Sequence, residues 1–316
     1  PSDPVGHGDG RAVCRTGRGD TGPGHGHHRD AMNLPSATLI AQSVLSGVFI
    51  GALYGLLGLG LSLSWGMLRQ INLAHFALAF LGAYLTYQLS SVAGWDPVAT
   101  LLVVVPCFFA FGVLMHWLFA RFSISPFNSL LVTFGLTVII ESAIQGIWTA
   151  DPRMLDSAYG QFKFKVGALY VPFPELLTLL LATTLSILAW AVLRYTDIGK
   201  AMRAAAEDAP TAAAFGVNER RLSLLLSGVS AAFAGVAGLC LALSFSLAPS
   251  QIYAWVGVVF AAVMIGGLGN PLGPLVAGII IGVSESLTMA IAAPAWAPLV
   301  SFLLLIVVLL ARAEKI

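Results

Sequence analysis

Charged side chains are scarce in this chain. Aspartate, glutamate, lysine and arginine make up 10% of the 316 residues, whereas hydrophobic residues make up 58% and the mean hydropathy is +0.87. Soluble domains carry about 25% charged residues, because a protein in water needs a polar surface around its apolar core. The shortage of charge excludes a water-soluble fold and predicts a chain that lies mainly in lipid.

The sequence also lacks the features of nucleic-acid binding, metal binding and catalysis. The formal net charge is only +1, and the three cysteines form no CxxC pair. We therefore expect no nucleic-acid partner, no metal site and no cofactor. HExxH motifs, GxSxG motifs and paired catalytic carboxylates are missing too, which argues against a membrane enzyme.

A phosphate-binding GxxxxGK[ST] motif is missing as well. The one Gly-Lys pair, at residues 199–200, has Arg194 in the place of the first glycine. Without this motif the chain has no loop to hold the phosphates of ATP. If ATP drives its function, we expect the ATPase site to lie in a separate subunit.

The first 31 residues differ from the rest. They are rich in Gly, Pro, His, Arg and Asp, and they have almost no large apolar side chain. Such a segment buries too little surface to offset its chain entropy, which predicts disorder. Met32 looks like a natural start, so we interpret residues 1–31 as a polar tail or a mis-called upstream extension. The three histidines His25, His27 and His28 leave metal binding as an alternative.

Long apolar runs dominate residues 32–316. A helix that crosses the hydrocarbon core needs about 20 apolar residues, and the runs predict an all-α, polytopic transmembrane helical bundle with about 8–10 spans. Glycines in the first run predict a broken or strongly tilted helix, and Asn72 and His75 predict that the second begins as a half-helix. The runs lie roughly at 39–66, 71–92, 98–120, 127–149, 173–194, 222–246, 252–268, 272–292 and 296–311.

Basic residues predict the orientation of these spans. Loops on the cytoplasmic side of a membrane carry an excess of lysine and arginine. The segment 195–221 holds Lys200, Arg203, Arg220 and Arg221, and Arg194 directly precedes it. The segment 150–172 holds Arg153 and two lysines, whose charge is offset in part by two aspartates. We place 195–221 in the cytoplasm and 150–172 outside, and nine spans then put the N-terminus outside.

The cytoplasmic segment 195–221 has the pattern of two short helices. Residues 199–207 are rich in alanine and are predicted to be helical. Asp208 is suited to be an N-cap and Gly216 to follow a helix end, which predicts a second helix at about 209–215. A two-turn helix of alanine and threonine is not stable alone. It packs on its own protein, or it docks through its small side chains and Phe215 in a groove of a partner.

This segment resembles the cytoplasmic loop of the permease subunits of branched-chain-amino-acid-type ABC importers. The family pattern is roughly T-x-x-G-R/K-A-x-R-A-x-A-x-D-x-x-x-A-x-x-x-G. It is matched by Thr196, Gly199, Lys200, Ala201, Arg203, Ala204, Ala206, Asp208, Ala212 and Gly216. The resemblance implies that residues 208–216 form a coupling helix that docks on an ATP-binding subunit. The candidate coupling residues are Gly199, Arg203, Asp208, Ala212, Phe215 and Gly216.

Three further blocks between Leu45 and Leu310 resemble the same family. The first keeps Asn72, Ala74, His75, Gly82, Ala83 and Tyr84 but departs at Leu73 and Phe76. The second keeps Thr133, Phe134, Gly135, Leu136, Glu141, Trp148, Asp151, Pro152 and Arg153, and the third keeps Gly266, Gly267, Gly269, Gly273, Gly278, Gly282 and Glu285.

The resemblance has several implications for function. It implies a permease of the bacterial inner membrane, a second related permease subunit in a heterodimer and an external solute-binding protein. The implied solutes are branched-chain or other hydrophobic amino acids, or small polar solutes such as urea, amides and carboxylates.

Polar residues inside the apolar runs are candidates for the translocation path, because polar groups at membrane depth usually face a cavity or the bundle interior. They are Asn72, His75, Glu141 and Glu285. Other roles stay open: a hydrogen bond that locks a helix break for the first two, and a helix cap or a pair with a basic loop residue for the two acids. For an ion-coupled secondary transporter, the alternative function, the candidate coupling groups are only Glu141, Glu285, His75 and His116.

Overall fold

The computed structural model describes residues 37–122, 125–292 and 294–313, and these residues form an all-α bundle. The predicted fold class is therefore confirmed, while the predictions for residues 1–31, including the three histidines, lie outside the described residues. The helices are α1 (Ala37–Leu68), α2 (Ala74–Tyr87), α3 (Leu101–Arg121), α4 (Pro126–Trp148), α5 (Phe173–Tyr195), α6 (Asp197–Glu207), α7 (Ala209–Ala214), α8 (Glu219–Ser244), α9 (Ala254–Gly266), α10 (Gly273–Ile291) and α11 (Ala297–Ala313).

Shorter elements complete the fold. A π-helical turn, Gln88–Val92, extends α2, and 3₁₀ turns lie at Ala158–Gln161, Pro249–Tyr253 and Pro294–Trp296. Strands β1 (Lys163–Val166) and β2 (Leu169–Pro172) pair as an antiparallel hairpin between α4 and α5.

Each of the predicted apolar runs coincides with one helix. Seven helical segments in the described part of the chain are long and apolar enough to span a membrane: Ala37–Leu68, Leu101–Arg121, Phe127–Trp148, Phe173–Tyr195, Glu219–Ser244, Pro249–Gly266 and Gly273–Ile291. The two other runs correspond to α2 with its π-helical turn and to the shorter apolar helix Pro294–Leu310. The predicted break in the first run is wrong, since α1 is a continuous helix of 32 residues. Its backbone hydrogen bonds are thereby satisfied within the helix, as lipid requires.

Hydrogen bonds join the loops at each end of the bundle. At one end the Tyr159 hydroxyl donates to the Asp96 carboxylate at 2.7 Å, and the Gln42 side-chain amide exchanges two 3.0 Å bonds with the backbone of Tyr170. Partial burial, together with the bond to Asp96 and the charge of that carboxylate, raises the pKa of the Tyr159 phenol to about 12. At the other end Arg69 donates to the carbonyl oxygen of Ala206. The two sets of loops are those that successive membrane crossings place on opposite sides. After the predicted orientation, we call the end with Arg69 the inner end and the end with Tyr159 the outer end.

Helices α1 and α10 pack with their backbones in contact. A Cβ atom on Gly51 would lie 2.5 Å from the carbonyl oxygen of Gly278, and one on Gly282 would lie 2.4 Å from that of Gly47. Small residues allow this approach. Helix association in lipid depends on such close packing, because lipid tails are as apolar as the side chains and the hydrophobic effect does not drive helices together. Gly278 and Gly282 have the GxxxG spacing that is typical of such close helix contacts.

Helix α8 forms the second part of the core. A Cβ on Gly238 would lie 2.5 Å from the Ala79 carbonyl oxygen of α2. The hydroxyls of Ser227 and Ser230 donate to the carbonyl oxygens of Gly112 on α3 and Gly60 on α1, at 3.0 and 2.7 Å. In the most apolar stretch of each helix, the buried share of residues is 72% for α1 and 78% for α8, but only 22% for α4. Helices α1, α2, α8 and α10 are thus central, and α4 is peripheral.

Gly51→Ala tests the contact between α1 and α10. The added methyl group meets backbone atoms that have no rotamer to change, so we expect a loss of about 1–3 kcal/mol in the free energy of unfolding, measured by thermal unfolding in detergent. Gly135→Ala on α4 is the matched control, because nothing lies within 4 Å of a Cβ atom there. Equal stability of the two variants would contradict backbone contact at Gly51.

Candidate functional site

The short helix α7 is formed by an N-cap and a glycine at its end. The Asp208 carboxylate accepts bonds from the Thr211 amide at 3.2 Å and from the Thr211 hydroxyl at 2.5 Å, and these bonds lower the pKa of the Asp208 carboxyl. Gly216 has φ +86°, and beside it the Val217 amide bonds to the Ala212 carbonyl at 3.1 Å. A left-handed glycine of this kind is a common helix end. The predicted helix, its cap and its terminal glycine are confirmed, and α7 ends one residue before the predicted position.

The preceding helix α6 is fastened to the end of α5. The Thr196 hydroxyl accepts a bond from the Gly199 amide at 3.1 Å and donates to the Val192 carbonyl at 2.6 Å. A Cβ on Gly199 would lie 2.3 Å from that same carbonyl oxygen, so this position requires glycine. The predicted alanine-rich helix is confirmed, and its buried Gly199 faces α5.

The remaining coupling candidates divide into buried and exposed side chains. Ala212 is 6% exposed and faces its own protein, whereas the Phe215 ring is 86% exposed. Arg203 is exposed on α6. The structure is therefore compatible with both interpretations of α7. Ala212 packs the helix on its own protein, and Phe215 and Arg203 are exposed and accessible to a partner. Asp208 and Gly216 shape the two ends of α7.

A cavity of about 490 Å³ lies between the start of α7 and the inner ends of membrane helices. Its polar lining includes the basic side chains of Arg69 and His116 and the acids Glu207, Asp208 and Glu219. The His116 side chain is buried, and its Nδ1 has no hydrogen-bond partner within the described residues. Helix α7 thus rests beside a polar space and is not packed over its whole surface.

Arg69 joins the turn between α1 and α2 to the end of α6. Its Nη2 donates to the carbonyl oxygen of Ala206, in the last turn of α6, at 3.0 Å. A cation at a helix C-terminus compensates the partial negative charge of the free carbonyl groups. The backbone of Arg69 has φ +54°, which is uncommon for a residue other than glycine. Sequence reasoning missed Arg69 because the one signal for it is a basic residue after an apolar run.

His75 and Asn72 lie at the inner start of α2 and are buried. The His75 Nε2 donates to the Leu57 carbonyl of α1 at 3.0 Å, and a Cβ on Gly60 would lie 2.4 Å from the His75 ring. The Asn72 amide nitrogen lies 4.0 Å from the Met115 sulfur, and its oxygen has no partner within the described residues. For His75 this geometry fits the locking interpretation, because the ring holds α2 against α1.

Glu285 is a buried junction between three helices. Its carboxylate accepts hydrogen bonds from the hydroxyls of Tyr54 on α1, at 2.8 Å, and of Ser301 on α11. The side chain is 8% exposed. A carboxylate at this depth requires such donors, because an unsatisfied polar group is costly in a low-dielectric interior. Neither of these partners is a basic loop residue.

Glu141 occupies a different environment, at the surface of the bundle. Its Oε2 accepts a 2.8 Å bond from the Tyr253 hydroxyl, and its Oε1 accepts a 3.2 Å bond from the Gln145 amide one helical turn away. The side chain is partly exposed. The four path candidates are therefore dispersed: Asn72 and His75 lie at the inner start of α2, and the two acids bond to separate partners on other helices and turns.

Arg153 fastens the external segment to the bundle. Its backbone exchanges two bonds with Leu247, at 2.8 and 2.7 Å, and its Nη2 donates to the Trp148 carbonyl at 3.2 Å. The Tyr84 hydroxyl also donates to the Leu247 carbonyl, at 3.0 Å. One of the positive charges of segment 150–172 is thus held in a hydrogen bond at the outer end of α4.

Asp208→Ala tests the cap of α7. We expect the Thr211 amide to exchange faster with deuterated water in this variant, measured by hydrogen exchange over residues 209–217, whereas Asp208→Asn retains an oxygen acceptor and most of the protection. A carboxyl with a lowered pKa stabilises the fold above its ordinary pKa and loses that effect as pH falls through the lowered value. Protection in the wild type is therefore expected to persist to below the usual range for aspartate. Equal exchange in both variants would contradict the cap.

The chain is similar to known permeases over most of its length. A model of the family described as "Branched-chain amino acid transport system / permease component" matches residues 43–309. LivH of Salmonella typhimurium, a high-affinity branched-chain amino acid transport system permease protein, is 27% identical over 286 residues, which are 85% of this chain and 92% of the relative. BraD of Pseudomonas aeruginosa, whose description is the same, is 23% identical over 301 residues, 90% and 97% of the two chains. No solved structure matches the chain.

These similarities cover the four blocks from which the resemblance was drawn. They support a permease subunit of an ABC importer in the bacterial inner membrane, and they do not favour an ion-coupled secondary transporter. With its bundle of apolar helices, the chain is a multi-pass membrane protein that belongs to the family of branched-chain amino acid transport system permease components.

Proposed function

We propose that this chain forms part of the translocation path for branched-chain or other hydrophobic amino acids, or for related small polar solutes such as urea, amides and carboxylates. The names of the relatives, which refer to high-affinity branched-chain amino acid transport, support the first of these classes. A separate ATP-binding subunit supplies the energy, since the sequence has no GxxxxGK[ST] motif.

One observation carries the coupling part of this proposal: α7 presents an exposed aromatic ring on a capped helix. Phe215 is 86% exposed at the end of α7, while Ala212 holds the helix to the bundle. Burial of a phenylalanine side chain stabilises a complex by about 1.5–3 kcal/mol. Binding of this ring in a groove of the ATP-binding subunit is stabilised by that free energy. Because α7 is already folded, binding has no entropic cost for ordering the helix.

Arg69 connects the docking element to the core helices. A movement of α6 and α7 reaches the turn after α1 through the bond from Arg69 to Ala206. The inner part of α1 is bonded in turn to the segment before α10, because the Gly269 amide donates to the Ser62 carbonyl at 3.1 Å. We infer that Arg69 is a positioning residue for energy coupling and has no contact with the solute.

Two further partners belong to the proposal. A second, related permease subunit completes the path in a heterodimer, and an external solute-binding protein delivers the solute. The weakly buried helices α3, α4 and α5 have the surface for a neighbouring subunit or for lipid, since 28% or less of their most apolar stretches is buried. Native mass spectrometry of the purified complex tests the heterodimer, and a mass with two copies of this chain and no other permease would reject it.

Phe215→Asp tests docking. We expect this variant to insert in the membrane but to lose co-purification with the ATP-binding subunit, because a charge replaces the apolar anchor. Deletion of 208–216 should have the same effect. Phe162→Asp is the matched control: this phenylalanine is 57% exposed in the segment between α4 and α5, at the opposite end of the bundle. Wild-type recruitment of the ATPase by the Phe215 variant would reject docking through α7.

Arg69→Ala tests coupling after docking. An exposed charge-assisted bond contributes up to about 1 kcal/mol, so we expect solute import per ATP hydrolysed to fall up to about fivefold while ATPase recruitment is unchanged. Arg69→Lys retains a cation and should recover part of the loss. The measurement is parallel uptake and ATP hydrolysis in proteoliposomes. If uptake and hydrolysis fall together, Arg69 has a general structural role and the coupling role is rejected.

A further inference from the structure

Helix α4 carries a polar patch on a surface that the chain itself does not cover. The buried side of α4 is a narrow stripe that ends in Ile140, Ile144 and Trp148. Glu141 is partly exposed beside this stripe, and Gln145 is exposed. The last residue of α4 is seven residues beyond Glu141, which corresponds to about 10 Å along the helix axis. Glu141 therefore lies within the outer half of the span and not in the loop that follows.

A carboxylate on this surface is not compatible with bare lipid. Ionisable groups within membrane spans are costly and usually face a water-filled cavity or another protein segment. The Tyr253 hydroxyl, which bonds to Glu141, is part of a tyrosine that is itself 42% exposed, so the polar patch extends to the turn before α9. The patch must be covered by water or by a second subunit, and both occur along a solute path.

The Glu141 carboxylate is oriented but its charge is not compensated. Its two hydrogen-bond donors, Tyr253 and Gln145, are neutral and come from two different segments. In the part of the chain that the structure describes, the one ion pair joins Lys200 to Asp197, at the other end of the bundle. A carboxylate has about four lone-pair positions, and two of these are occupied. The remaining positions and the net charge suit a ligand with several N–H donors and a positive charge.

Glu285 provides the contrast. Both of its oxygens are bonded, to Tyr54 and to Ser301, and the side chain is 8% exposed where three helices meet. A solute has no access to it without separation of these helices. Unlike Glu285, Glu141 is both accessible and available for further hydrogen bonds.

We propose that Glu141, held by Gln145 and Tyr253, binds the ammonium group of an amino-acid solute during translocation. This inference rests on the proposed function and narrows it. A primary ammonium group has three N–H donors and the positive charge that the patch lacks. Urea and amides carry no charge, and carboxylates are repelled. The site therefore selects amino acids among the solute classes considered above.

Uptake of two probes with the same carbon skeleton tests the proposal in the complete importer. L-Leucine has the ammonium group, and 4-methylvalerate is the same molecule without it. We expect Glu141→Gln to lower leucine uptake at low concentration by about tenfold or more, because a charge-assisted bond is replaced by a neutral one. Ser142→Ala, at the neighbouring exposed position of α4, should keep wild-type uptake. Basal ATP hydrolysis should be unchanged in Ser142→Ala.

Inhibition by a simple cation separates binding of the ammonium group from a structural role. Isoamylammonium, which has the side chain and the ammonium group of leucine but no carboxylate, should inhibit leucine uptake by the wild type and by Glu141→Asp, but not the residual uptake by Glu141→Gln. Wild-type leucine kinetics in Glu141→Gln would overturn the proposal and leave the importer function intact. Uptake of 4-methylvalerate in preference to leucine by the wild type would also overturn the ammonium site and leave the importer function intact. A wild-type complex that hydrolyses ATP but imports neither probe would reject the amino-acid importer itself, and with it the ammonium site.

Discussion

Backbone contact between helices is the constraint on which the rest of this structure depends. In lipid, apolar side chains gain nothing by leaving their surroundings, so helices associate through close packing and hydrogen bonds. Helices α1 and α10 meet at glycines whose Cβ positions are already filled by the backbone of the partner. Helix α8 adds serine hydroxyls that donate to carbonyl oxygens of α1 and α3. Polar atoms and missing side chains, more than large apolar residues, specify which helices are neighbours.

This packing divides the bundle into a central and a peripheral part with different chemistry. The central helices have few polar groups that are accessible, and their acid, Glu285, is fully used in holding three helices together. The peripheral helix α4 has the accessible carboxylate, Glu141. At the inner end, α6 is bonded to both α5 and the turn after α1, through Gly199 and Arg69. Under the proposed function, energy therefore enters through the inner ends of α1 and α5, while the solute is handled at α4.

Much of the fold could be predicted from the sequence because its determinants are local. An apolar run of sufficient length forms a helix in lipid, whatever its neighbours are. The cap at Asp208 and the end at Gly216 depend only on residues within one or two turns, and both were predicted correctly. The break predicted in α1 was wrong because its glycines serve contact with α10, a partner more than 200 residues away in the sequence.

The site was less predictable for the same physical reason. Sequence alone presents Glu141 and Glu285 as two similar acids in apolar runs, and only their long-range partners, Tyr253 and Tyr54, distinguish the exposed one from the buried one. Ala212 and Phe215 lie on one short helix, where the side that faces the bundle depends on how α6 is attached. Arg69 is identified by a bond to a residue 137 positions away.

The external segment between α4 and α5 is attached to the bundle at three places. Arg153 holds its beginning to Leu247, Tyr159 holds its middle to Asp96, and Tyr170 holds its end to Gln42. A loop that is already ordered loses little conformational freedom when a second molecule lands on it, and this loss is one of the main costs of association. A protein that docks on this segment therefore finds a preorganised surface and orders little of it on binding.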